Sequence, residues 1–123
     1  MKHKLWFDEE NDILMFQIIG DYATEEARGS EVLMRNAFEN RPFQQLIVDL
    51  SQAGPMESRE TRKIQNESMR KAGVTHTAFV GAGAAIRMIA RVMIKLGSEN
   101  LPSQFFATTE EAISWLKGQR RSK

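Results

Sequence analysis

Cysteine is absent from the 123-residue chain, which excludes disulfides, thiolate metal sites, iron–sulfur ligation and a cysteine nucleophile. The absence fits a reducing compartment, and a cytoplasmic location is expected. Histidine is scarce, at two residues. His3 and His76 give no H-x-x-x-H spacing, so neither a metal nor another cofactor is expected. Long apolar runs are missing as well. The longest uncharged stretch of apolar and small residues, Ala78–Ile86, falls far short of the roughly 20 residues that cross a bilayer. The start, Met1-Lys2-His3-Lys4 before Leu-Trp-Phe-Asp, lacks the apolar stretch of a signal peptide. A net charge of only +1 gives no strongly basic surface, and Trp6, Tyr22 and Trp115 are not interleaved with the cations, so nucleic acid is not an expected partner.

Hydrophobic residues make up 41% of the chain and charged residues 27%, the balance of one folded domain. The expected domain spans residues 1–117, and 118–123 read as a flexible basic tail. Charge is divided unevenly. Residues 1–61 carry 6 basic and 12 acidic side chains, a net −6, and residues 62–123 carry 11 and 4, a net +7. Such a division permits a positive face that meets an anionic partner.

Along the chain, Lys4–Phe7 and Ile13–Ile19 read as a hairpin around the polar turn Glu9-Glu10-Asn11-Asp12. Thr24 before Glu25-Glu26 reads as a helix cap, with Leu33, Ala37 and Phe38 on the buried face and Asn40-Arg41-Pro42 as the stop. Gln45–Leu50 is nearly all apolar, as a strand buried on both faces should be, and Gln52-Ala53-Gly54-Pro55 reads as a turn. A helix poor in apolar residues follows over 57–72, ended by Gly73. Val74–Val80, a helix over 84–96, the strand Gln104–Ala107 and a closing helix capped by Thr108 and Glu111 complete the order β-β-α-β-α-β-α-β-α. Strands alternating with helices predict an α/β fold with a mixed, mostly parallel sheet and helices packed against it.

Catalytic patterns are thin. His3 reads as part of a frayed end, and His76 alternates with Val74, Ala78 and Val80, which packs it against one sheet face beside a polar partner. Asp49 and Ser51 stand at the C-terminal end of a strand, where α/β proteins place ligands, although an aspartate there commonly caps a loop. Gly81 and Gly83 follow a strand and open a helix, where backbone N–H groups hold anions. Neither a complete G-x-G-x-x-G nor a phosphate loop is present, and a tight turn serves the same glycines. No enzyme is expected.

The helix over 84–96 is unusual. At about 100° per residue, Arg87, Arg91 and Lys95 form one narrow basic stripe. Ile89, Val92, Met93 and Leu96 lie opposite, on the side expected to face the sheet. Ile94 falls beside the stripe, an expected partner or membrane contact. Phe79, Met88 and Met93 are candidates to line an apolar cavity beneath this helix.

Three patterns carry a family resemblance. Leu46-Ile47-Val48-Asp49-Leu50-Ser51 is a central strand running into a loop. Pro55-Met56-Glu57-Ser58-Arg59 opens the next helix. Thr77-Ala78-Phe79-Val80-Gly81 runs on through Arg87 to Phe105-Phe106-Ala107-Thr108-Thr109-Glu110-Glu111-Ala112-Ile113-Ser114-Trp115-Leu116. In this order they resemble the STAS domains, and within them the divergent SpoIIAA-like subfamily related to the lipid-carrying Sec14 domains. The resemblance implies a non-enzymatic, cytoplasmic module. It would bind a protein partner, a second copy of itself, or an apolar or lipid-like ligand, in the last case peripherally at an anionic membrane. The family's signalling branch implies an alternative, an anti-sigma factor antagonist acting through Ser51–Arg62. There, Arg59 stands at the family's phosphate-acceptor serine, and Ser58 at the serine before it.

Overall fold

The computed structural model describes residues 3–56, 59–81 and 103–120. β1 (Lys4–Asp8), β2 (Ile13–Tyr22), β3 (Gln45–Met56), β4 (His76–Val80) and β5 (Ser103–Phe106) form one sheet in that order. β1 runs antiparallel to β2, and every later pair is parallel. The helices described are α1 (Thr24–Phe38), α2 (Arg59–Lys71) and α3 (Thr109–Gln119). This is the α/β class with the mixed, mostly parallel sheet that the alternation of elements predicts. The helix expected over 84–96 lies outside the described residues.

Alternation along the strands separates two cores. Leu14, Phe16, Ile18, Leu46, Val48 and Leu50 meet Ala27, Met34 and Phe38 of α1 and Met69 of α2 on one face. Ile13, Ile47, Ala78 and Val80 meet Ala112 and Leu116 of α3 on the other. Leu46, Ile47 and Val48 are all buried, because β3 is central and covered on both sides. Thr108 caps α3, its Oγ1 accepting the Glu111 N–H at 3.2 Å.

Several local expectations change. The segment Gln52–Pro55 does not turn the chain: β3 continues to Met56 beside β2. Twice along this pairing β3 advances three residues while β2 advances two, and bulges of this kind let strands continue out of strict register. Gly20, at φ 68°, supplies the backbone freedom at one of them. Gly54 belongs to the same close approach, since a Cβ there would stand 2.9 Å from Asp21 Oδ1 and 3.1 Å from the Gly20 carbonyl carbon. On α1, Leu33 is 41% exposed while Ser30 and Met34 are buried, so the inner face is turned from the one that Leu33 suggests. The cap also shifts by one residue. Ala23 precedes the first helical residue, and the Glu26 carboxylate reaches back to accept its N–H at 2.8 Å.

The last turn of α3 reaches into the segment expected as a tail. Arg120 donates from Nε to Gln45 Oε1 at 2.9 Å and from Nη2 to the Asn11 carbonyl at 2.7 Å, with its guanidinium over the Phe43 ring. Arg120 is therefore tied to the β1–β2 turn, and 121–123 lie outside the described residues.

Candidate functional site

Two of the sequence-predicted positions meet where β4 ends beside β3; Asp49 and Ser51 do not stand at a strand end as expected, because β3 runs on to Met56. Ser51 on β3 is exposed, and Gly81, the residue after β4, is exposed beside it. Gly81 has φ 76°, and a Cβ placed on it would stand 2.9 Å from Ser51 Cβ and 3.0 Å from Ser51 N. Only glycine allows this approach. Two residues earlier on β3, Asp49 Oδ1 accepts the Ser51 N–H at 2.9 Å, and Gln17 Nε2 of β2 donates to Asp49 Oδ2 at 3.4 Å. Asp49 thus holds the backbone at Ser51 within β3, and it does not cap a loop as its position suggests, because the strand continues past it.

Phe79 is separated from this corner by facing the α1–α2 side, where it stacks on Phe105 with ring centroids 5.1 Å apart. Arg59 is the first residue of α2. Ser58, Gly83, Arg87, Met88, Arg91, Met93, Ile94 and Lys95 lie outside the described residues, as do the cavity and basic stripe expected of them.

His76 does not join Asp49 and Ser51. It pairs with Gln45 at the start of β3, whereas Asp49 pairs with Val80, a separation of about 13 Å along the strands. Its ring packs edge-on against Trp115 at 5.9 Å, with Nδ1 3.0 Å from Thr75 Oγ1. Burial lowers its pKa below the ordinary histidine value. This is the packed histidine with a polar partner that the alternation predicts, and no Ser-His-Asp assembly forms from these three residues. Among the described residues no three His, Asp or Glu side chains group as a metal site, and no helix is long and apolar enough to cross a membrane.

A polar cluster that the sequence reading missed lies between β2, α1 and α2. His3, expected at a frayed end, is 3% exposed. Its Nδ1 accepts the Ile19 N–H at 2.9 Å, so the ring proton sits on Nε2, 3.2 Å from Glu26 Oε2. The imidazole also packs edge-on against Tyr22 and Phe16. Tyr22 donates its hydroxyl proton to Gln65 Oε1 of α2, and Ser30 Oγ lies 3.2 Å from the same oxygen. Burial drives the Tyr22 hydroxyl pKa well above the ordinary tyrosine value. The available signal was the shortage of apolar residues on α2: a helix that must pack yet has few apolar side chains buries polar ones, here Gln65 and Ser68, and Gln65 Oε1 accepts from Tyr22 and Ser30.

Two solved structures share this architecture. The anti-sigma factor antagonist SpoIIAA, in its unphosphorylated form, matches with a TM-score of 0.65 at 16% identity, over 94% of this chain and 98% of that one. An uncharacterized DUF3478-family protein with a SpoIIAA-like fold, from Shewanella loihica PV-4, matches with a TM-score of 0.65 at 17% identity, over 93% and 91%. The fold is therefore SpoIIAA-like. No curated protein matches the chain in sequence. A family model does match, over residues 5–120, and the chain belongs to that family, described as a domain of unknown function, DUF7793.

Proposed function

We propose that the chain is a non-enzymatic regulatory module, cytoplasmic, that binds a protein partner through the corner where Ser51 and Gly81 meet. The observation that carries this reading is their close approach. Two segments 30 positions apart in sequence present an exposed hydroxyl on β3 and an exposed glycine backbone just past the end of β4, and the C-terminal side of parallel strands is the usual ligand side of such sheets. The position of α2, which starts at Arg59 just beyond β3, supports a surface that continues toward that helix. A second reading follows from the similarity to an anti-sigma factor antagonist: the same region would antagonise an anti-sigma factor, with Ser58 as phosphate acceptor because Arg59 replaces the usual serine.

Affinity purification with the intact chain and with Ser51→Arg tests the first reading. The intact chain should enrich a defined protein that the folded variant fails to retain. Equal recovery by both, or no enriched protein, would overturn it. Phosphate mapped to Ser58 after incubation with a cognate kinase selects the second reading. Co-sedimentation with anionic vesicles tests the lipid-binding version, which rests on the composition of residues 84–96.

A further inference from the structure

We infer that the outer edge of β1 is a self-association surface that pairs antiparallel with β1 of a second copy. β1 and β5 are the two edge strands of the sheet, and an edge strand carries a row of backbone donors and acceptors open to another chain. Its sequence is Lys4-Leu5-Trp6-Phe7-Asp8. Lys4, Trp6 and Asp8 share the sheet face on which α3 packs over β3, β4 and β5, and Trp6 is 46% exposed. On that face Trp6 has Met15 of β2 as its cross-strand neighbour.

Charge complementarity selects the occupant. With a two-fold axis through Trp6, antiparallel pairing sets Lys4 opposite Asp8 of the second copy and Asp8 opposite its Lys4. The two Trp6 side chains then meet at the axis, and Leu5 lies opposite Phe7 on the other face. Parallel pairing places like charges together, and a slip of two residues sets the lysine against an indole. An edge lysine ordinarily discourages strand pairing, but in this one register it has an acidic partner. Asp8 also accepts the Glu10 and Asn11 N–H groups that close the hairpin turn, so its carboxylate is already fixed in place. A five-residue strand is only about 17 Å long, so the contact falls in the small, reversible class of interfaces.

The chain's lack of cysteine makes a direct test available. Under mild oxidation the Trp6→Cys variant should form a covalent dimer, because side chains directly opposite in an antiparallel pair are close enough to bridge. Leu33→Cys, at an exposed position of α1, is the collision control and should cross-link at least about tenfold more slowly. Adding Lys4→Glu to Trp6→Cys places acids opposite one another and should slow cross-linking about tenfold. Sedimentation of the unsubstituted chain should show a monomer–dimer equilibrium that Lys4→Glu shifts to monomer. Equal cross-linking at positions 6 and 33, or no response to Lys4→Glu in a variant with unchanged circular dichroism, would overturn the proposal.

Discussion

Gly81 leaves β4 with a positive φ and with Ser51 pressed against the place where a side chain would begin. Both constraints oppose any larger residue, one through backbone conformation and one through overlap with backbone atoms that cannot rotate away. Gly81→Ala should lower stability by about 2–4 kcal/mol in chemical denaturation. A loss below about 0.5 kcal/mol would mean that Ser51 is not held against it. His76 gives the second residue-scale prediction. Burial lowers its pKa in the folded chain, so below about pH 6.5 the unfolded chain takes up the proton first. Its contribution to stability is therefore complete above that pH and is lost as the pH falls through the folded value. Comparing His76→Phe with the original chain by denaturation between pH 8 and 5 should show a shallower acid-side loss in the variant. An unchanged slope would contradict the burial argument.

At the scale of elements, α1 shows how a correct element can be read with the wrong face. Leu33 and Phe38 are both apolar, yet only Phe38 is buried, and the inner stripe runs through Ala27, Ser30 and Met34. Apolar spacing alone could not reveal this, because the position that carries Ser30 serves a polar partner on α2. Met34→Ala should cost about 2–5 kcal/mol, as truncation in a closed core does, whereas Leu33→Ala should change stability by less than about 1 kcal/mol. Comparable losses at the two positions would restore the face centred on Leu33. The strands were more legible. Leu46-Ile47-Val48 declared a central strand through an unbroken apolar run, and Thr108 with Glu111 declared the start of α3. The missed continuation of β3 has a local cause, since glycine and proline mark turns in most contexts but here accompany bulges in a strand pair. His3 was missed because chain position suggests fraying, while its burial depends on Ile19, Tyr22 and Glu26, residues remote from it in sequence.

For the whole molecule, the sheet edge at β1 and the corner at Ser51 and Gly81 are separate places that do not compete. The outer edge of β1 suits a second copy. The Ser51–Gly81 corner lies across β2, where β4 ends beside β3, and is the place proposed for a different protein. The candidate site was half legible in the sequence: Gly81 follows an apolar strand and Asp49 and Ser51 follow the apolar run of β3, but the approach of Gly81 to Ser51 is a property of the parallel register. The central claim is that this corner receives a protein partner. It is tested most directly by placing a photoactivatable amino acid at Ser51 and, as a control, at exposed Glu39, then irradiating living cells. A discrete covalent product between the chain and a different protein, formed from position 51 and absent from position 39, is the expected result. No product from position 51, or the same product from both positions, would contradict the claim.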